Sequence, residues 1–492
     1  MRIKKIVHSD KAAYILLFII AFLVIFNSTY NPLNFRRMHV DSSNYATIAQ
    51  GINRGYLPYR DFVDNKGPLT YFISAVGLRI GGFTGIWIVE LVFMFVSVLF
   101  AYKTALFFGN RLMAMTGTVF SFVALLVVFT VSAGTEEYSL PFLMISLYIF
   151  TKYFFNAGKD TNFFELTVLG ACFSCAILIR LNMFPLWIGF CLVIFIESLI
   201  QRRFALLIKY TLGFCLGIII AFVPVFFYLR SNGILNAFLN QVVFAGAARG
   251  FSGGGLKGFA KNFYIVASRN FSALLLFFGL FMSITRFRQS RFLYYLAYTI
   301  SCLLMILFLS FSSGSSHYNM VLIPFYVPAL VLLANFLYTA FSGIHLQKTV
   351  LVLFLCFVFS EGLVNYLYDL TKIFNDNSGN ELINAGKMID AHTKPGDKII
   401  SLGFNGYIYP FTRRDAASKY IYQGSGLGHI PGAREEFVSD ILTGKPAIIA
   451  LFNGEDGIGQ IMNDWHSQIF KMIETDYRIL SNENGFILYL RQ

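Results

Sequence analysis

Apolar runs of about 17 to 25 residues recur along most of this chain, and each is long enough to cross roughly 30 Å of hydrocarbon as a helix. They lie near residues 11–30, 85–108, 112–132, 137–155, 162–180, 183–200, 206–229, 270–286, 292–311, 319–341 and 348–368, which predicts eleven spans. In lipid every backbone N–H and C=O must find a partner inside the protein, so the expected fold class is an α-helical polytopic membrane bundle. A hydrophobic share of 56%, with 56 Phe among 492 residues, exceeds what a soluble core absorbs.

Charge orients this bundle. The net charge of +13 does not mark a nucleic-acid partner, because the Lys and Arg gather in short connectors between apolar runs, where they act as topology signals. Arg2, Lys4, Lys5 and Lys11 assign the amino terminus to the cytoplasm, and the first run lacks a cleavage pattern, so it is expected to stay as a span. Connectors bearing Lys103 and Arg111, Lys152 and Lys159, Arg202, Arg203 and Lys209, Arg286, Arg288 and Arg291, and Lys348 then share the cytoplasmic side. A merged or split pair within 162–200 preserves that agreement. All six cysteines lie in apolar runs, so neither disulfides nor a thiolate metal site is expected, and Cys172-x-x-Cys175 reads as small helix-core residues.

The other face receives the long loop 31–84, the short loop at Thr135-Glu136-Glu137, the Arg180-Leu181-Asn182 corner, loop 230–269, Ser312 to Tyr318 and, with an odd span count, the tail 369–492. Within loop 31–84, Tyr45, Ile48 and Ile52 and then Tyr71, Phe72, Ala75 and Leu78 repeat at helical spacing, which predicts two interfacial helices joined by a Pro58 to Pro68 turn. The Gly-rich stretch Gly246 to Gly258, with Arg249, Lys257 and Lys261, reads either as a mobile linker or as a flap over a substrate. The tail is expected to fold as a small α/β domain, separate from a membrane domain of residues 1–368. Its helices are expected at Glu381 to His392 and Arg434 to Leu442, its strands at Lys398 to Leu402 and Ala447 to Phe452, and a hairpin at Tyr477 to Leu490. Gly403-Phe-Asn-Gly406 lacks the full glycine fingerprint of a nucleotide site.

Asp41 opens an interfacial helix, a place where Asp often serves as N-cap. A carboxylate at that depth is equally suited to take a proton from a hydroxyl. Glu136 and Glu137 start another span on the same face, which also suits a helix amino terminus. Arg180 ends a span there, as a snorkelling residue does, and Arg37, Arg60 and Lys66 add positive charge. Carboxylates and cations at one membrane depth match the needs of a lipid-linked phosphate substrate: a base for the acceptor and cations for the departing phosphate. His317 and Tyr318 open a later span on that side, either as a satisfied interfacial pair or as substrate contacts. Glu90 and Glu361 are acidic residues inside predicted spans, where charge is expensive.

Asp41-Ser-Ser-Asn-Tyr45, the Gly55-Tyr-Leu-Pro-Tyr-Arg-Asp61 turn, Lys66-Gly-Pro-Leu-Thr-Tyr71, Glu136-Glu137-Tyr-Ser-Leu-Pro141 and His317-Tyr318 ahead of Pro324 together resemble the polytopic GT-C glycosyltransferases. The similarity is to the family-39-like group of protein O-mannosyltransferases and aminoarabinose-lipid A transferases, over roughly residues 1–341. It implies that Asp41 is the catalytic base or positions the acceptor, and that Glu136, or else Glu137, is the second acidic residue. Arg180 stands where relatives usually carry Lys, near the phosphate of a polyprenyl carrier, with Lys66 and Arg60 as further cations. Tyr45, Tyr59, His317 and Tyr318 fall where substrate contacts are expected.

The resemblance further implies transfer of one sugar from a polyprenyl-phosphate donor to a glycolipid, envelope polymer or protein hydroxyl, typically with inversion and with no cofactor or catalytic metal. The setting expected is the outer face of a bacterial inner membrane. Two rivals stay open. A flippase or transporter of lipid-linked saccharides would place ionisable groups near the midplane and often carries internal repeats, which are not apparent here. A polysaccharide polymerase or ligase would use a large later loop such as 230–269.

Overall fold

The computed structural model describes residues 2–129, 132–156, 161–246, 255–268, 272–285, 287, 291–311, 315–340, 349, 353, 356, 360–373, 375–403, 406–423, 430–452, 467–483 and 485–492. Helices dominate it. In chain order they are α1 (Arg2–Phe26), α2 (Val40–Asn53), α3 (Pro68–Ala105), α4 (Arg111–Leu126), α5 (Thr135–Phe155), α6 (Phe163–Ile179), α7 (Pro185–Ile200) and α8 (Phe204–Ser231). They continue as α9 (Gly255–Ser268), α10 (Ser272–Thr285), α11 (Phe292–Ser310), α12 (Ile323–Ala340) and α13 (Ser360–Ile373).

Among the described residues five helices are long and apolar enough to cross a membrane: Pro68–Ala105, Thr135–Phe155, Phe204–Ser231, Phe292–Ser310 and His317–Ala340. Shorter apolar helices cover Lys11–Phe26, Arg111–Leu126, Phe163–Ile179, Pro185–Ile200 and Leu274–Thr285, so most predicted runs are helical but several are shorter than expected. The run at 348–368 falls largely outside the described residues, as does the Glu361 side chain. Local sequence explains several boundaries. Asn110 caps α4 through the Met113 N–H, and Asn162 and Glu165 form a reciprocal capping box at α6.

Helices cover both stretches of loop 31–84 where they are expected, with one difference. The second is continuous with the following span as α3, broken only where Gly81 and Gly82 leave helical geometry. Gly82 has φ +61°, a conformation open to glycine at little cost, so the pair lets α3 kink between its amphipathic first part and its apolar second part. Loop 230–269 also differs from a plain linker. α8 runs on to Ser231, residues 235–244 are helical, and α9 begins at Gly255, while residues 247–254, including Arg249, lie outside the described residues.

The tail forms α14 (Ser378–Ala391), β1 (Lys398–Leu402), β2 (Asp415–Ala416), α15 (Ala433–Gly444), β3 (Ile448–Phe452), α16 (Ser467–Asp476), β4 (Tyr477–Glu483) and β5 (Phe486–Arg491). Every strand and helix expected there is found, with β2 and α16 in addition. The sheet order is β2-β1-β3-β5-β4, parallel from β2 to β3 and antiparallel beyond.

The tail rests on the first loop. Phe35, Phe83 and Phe411 pack together with ring centres 5.1 to 5.5 Å apart. Tyr56 donates to Asp415 at 2.7 Å, and the Val63 N–H to the Lys419 carbonyl at 2.9 Å.

Candidate active site

The site is assembled at the start of α2. His39 provides the cap there: its Nδ1 accepts the Asp41 N–H at 3.2 Å. The N-cap role considered for Asp41 therefore belongs to His39, and the Asp41 carboxylate is free to face Lys66, whose Nζ lies 3.9 Å from Oδ2.

Lys66 is held by its neighbours. The Gly67 N–H donates to the Ile179 carbonyl at 2.9 Å, and Thr70 Oγ1 donates to the same oxygen at 3.2 Å. A Cβ at Gly67 would fall on the Leu178 carbonyl oxygen, so only glycine permits this approach. The Lys66 carbonyl accepts from the Tyr59 hydroxyl at 2.7 Å. Since Ile179 ends α6 and the next residue is Arg180, this docking brings both cations within electrostatic reach of Asp41.

Arg180 leaves the helix in extended conformation, pairs with Glu136 at the start of α5 and lies over Tyr318, its Cζ 4.1 Å from the ring centre. Its side chain is 13% exposed and that of Glu136 only 3%. The carboxylate of Asp41 is the open member at 32%. His317 is buried, with its Nε2 unbonded among the described residues and its ring 5.8 Å from that of His39.

Electrostatics follows from this crowding. Burial alone pushes the Asp41 carboxyl up, but Lys66, then His39, His317 and Arg180, outweigh it and hold the group below the usual carboxylate range. Asp64 has the opposite balance: burial raises it, against Lys66 and the Asn65 N–H that it accepts at 2.6 Å.

The sequence-predicted residues thus divide. Asp41, Lys66, Arg180, Glu136, His317 and Tyr318 come together, and the buried Tyr45 lies within electrostatic reach of Asp41 and Arg180. Glu137 points elsewhere, its Oε2 accepting the Ala133 N–H at 2.9 Å. Tyr59 serves the Lys66 backbone. Arg60 is not brought into the cluster: it pairs with Asp61 at 2.8 Å and is 57% exposed.

Three residues were missed. His39 carries the cap, Asp64 adds a buried carboxyl, and Gln241 ties the turn by accepting the Asp64 N–H at 3.2 Å and donating to the Tyr59 carbonyl at 2.7 Å. Only His39, just ahead of a predicted helix, left a readable signal. Among the described residues no group of three or more His, Cys, Asp or Glu is arranged around a metal position.

Residues 3–350 match the family model for the competence-induced protein Ccs4 N-terminal domain. The chain belongs to this family. No curated protein matches the chain in sequence. Its fold, however, is shared with solved structures. It is similar to ArnT from Cupriavidus metallidurans bound to undecaprenyl phosphate, at TM-score 0.61 and 15% identity over 97% of this chain and 98% of that one. It is also similar to the Archaeoglobus fulgidus oligosaccharyltransferase tethered to an acceptor peptide, at TM-score 0.58 and 11% identity over 98% of this chain and 74% of the other. The same archaeal enzyme, AglB, in complex with an inhibitory peptide and a dolichol-phosphate superposes at TM-score 0.55 and 11% identity, again over 98% and 74%. The chain is therefore a mostly helical protein with a small sheet, the coarse fold class that its sequence implied.

Proposed function

We propose that this protein is a membrane glycosyltransferase that moves a sugar from a polyprenyl-phosphate donor to an acceptor hydroxyl on the extracytoplasmic face, with inversion. The observation that carries the reading is the meeting of Asp41, Lys66, Arg180 and Glu136, drawn from four separate parts of the chain, at one end of a GT-C-type bundle.

Lys66 and Arg180 offer the donor phosphate two cations. The acceptor oxygen attacks the anomeric carbon, the sugar–phosphate bond breaks, and polyprenyl phosphate leaves with the bonding electrons. Asp41 takes the acceptor proton. Glu136 orients the Arg180 guanidinium, leaving its remaining N–H groups for the phosphate.

A carboxyl held low by cations is a weak base. Phosphate binding neutralises those same cations, which raises Asp41 toward the range where it accepts a proton efficiently. The base is thereby switched on by the donor.

Purified protein incubated with labelled polyprenyl-phosphate sugars and a panel of acceptors tests this. Consumption of donor with release of polyprenyl phosphate is expected, abolished in a normally inserted Asp41→Asn variant. Movement of intact lipid across vesicles without cleavage would instead establish a flippase.

A further inference from the structure

We infer that Glu90, deep in α3, is a positioning residue that fixes the Asp41 arm of the site relative to the Glu136 arm. The two arms are not neighbours in sequence, and a chain of buried hydrogen bonds joins them. Glu90 Oε1 accepts the Ala133 N–H at 2.6 Å, and its Oε2 accepts from Ser28 Oγ at 2.7 Å. Ser28 Oγ in turn accepts the Tyr30 N–H at 3.1 Å.

From that end of α1 two bonds reach across. The Thr29 N–H donates to Ser132 Oγ at 3.0 Å, and the Tyr30 hydroxyl donates to the Ser42 carbonyl at 3.1 Å. Ser42 Oγ closes the ring by donating to the Ser132 carbonyl. Ser42 is the neighbour of Asp41, and the Ser132 to Gly134 turn leads directly into Thr135 and Glu136.

Two features show that this turn needs holding. Ala133 sits at φ +52°, a backbone region costly for a residue with a Cβ. Its N–H is also bonded by Glu137 Oε2 at 2.9 Å, so two carboxyl groups converge on one donor. Glu90, Ser28, Ser42 and Ala133 are all buried, so water cannot replace a lost partner.

Gln at position 90 keeps an acceptor oxygen for the Ala133 N–H and an amide that can bond Ser28, whereas Leu keeps only the volume. The decisive comparison is Glu90→Leu against Glu90→Gln in the full-length protein, read by steady-state turnover and by amide hydrogen exchange. In Glu90→Leu, kcat is expected to fall about tenfold or more while the donor KM stays within about threefold, as for loss of alignment rather than of binding. Exchange should rise in segments 28–45 and 132–138, and Glu90→Gln should restore both readouts.

Wild-type kcat and exchange in Glu90→Leu would overturn the inference, as would failure of Gln to restore either. If Glu90→Leu does not insert, Ser28→Ala removes one hydroxyl only, and unchanged exchange at 132–138 in that variant overturns it too. The turnover readout rests on the glycosyl-transfer reading, but the exchange readout does not. A wild-type protein that consumes no donor would sink that reading while exchange still decides the role of Glu90.

Discussion

At the residue scale, the division of labour among the acidic groups is the main result. Asp41 is ionised in the free protein because its cationic neighbours outweigh burial. The sign of its pH dependence follows: activity that needs the carboxylate is present above its pKa and lost as pH falls through it. For kcat/KM, which reports the free enzyme, the acid limb from Asp41 should lie below the ordinary aspartate value of about 3.9. For kcat, which reports the donor complex, that limb should move upward because phosphate neutralises Lys66 and Arg180. Identical acid limbs in the two profiles would contradict a donor-activated base. Arg180→Lys should raise the donor KM more than it lowers kcat, since Lys cannot keep both the Glu136 pair and the contact over the Tyr318 ring. The sequence made the site residues readable as types, because charges at one membrane depth are rare, but not their pairing. Nothing in Glu136-Glu137 tells which carboxyl meets Arg180, because that depends on how the turn at Ala133 rotates α5.

At the element scale, glycines decide how helices meet. Gly67 lets the Lys66 turn press against the end of α6, and Gly82 bends α3. Two alanine substitutions should therefore behave differently. Gly67→Ala should cost activity steeply, about tenfold or more in kcat/KM, because Lys66 is displaced from Arg180. Gly82→Ala meets open space and should cost about 1 kcal/mol of stability through its positive φ, measured as a lower unfolding temperature, with turnover largely kept. Most helices were legible from apolar periodicity. The continuity of α3 was not, because Gly-Gly after an amphipathic segment reads equally as a loop. The helical 235–244 segment was hidden by its position beside a Gly-rich run, and with it Gln241.

At the scale of the whole molecule, the tail packs on the first loop through the Phe35, Phe83 and Phe411 rings and through Tyr56 and Asp415. Phe411→Ala should loosen that contact by about 2 kcal/mol and expose the tail to limited trypsin digestion before the helical bundle yields. The α8 helix has its own consequence. It approaches α6 closely where Gly213 and Gly217 meet Leu166 and Thr167, while Ile219, Ile220 and Phe227 stay exposed. Its 28 residues span about 42 Å, and the uncharged stretch between Lys209 and Arg230 is about 30 Å long, close to the thickness of a hydrocarbon layer. Its far end passes through residues 235–244 to Gln241, which grips the turn preceding Lys66. Lipids whose acyl chains depart from that match in either direction would load this lever and tug on that grip, so turnover in synthetic bilayers should vary with chain length. In a variant with Gln241 replaced by Ala, the same series should give a flatter response.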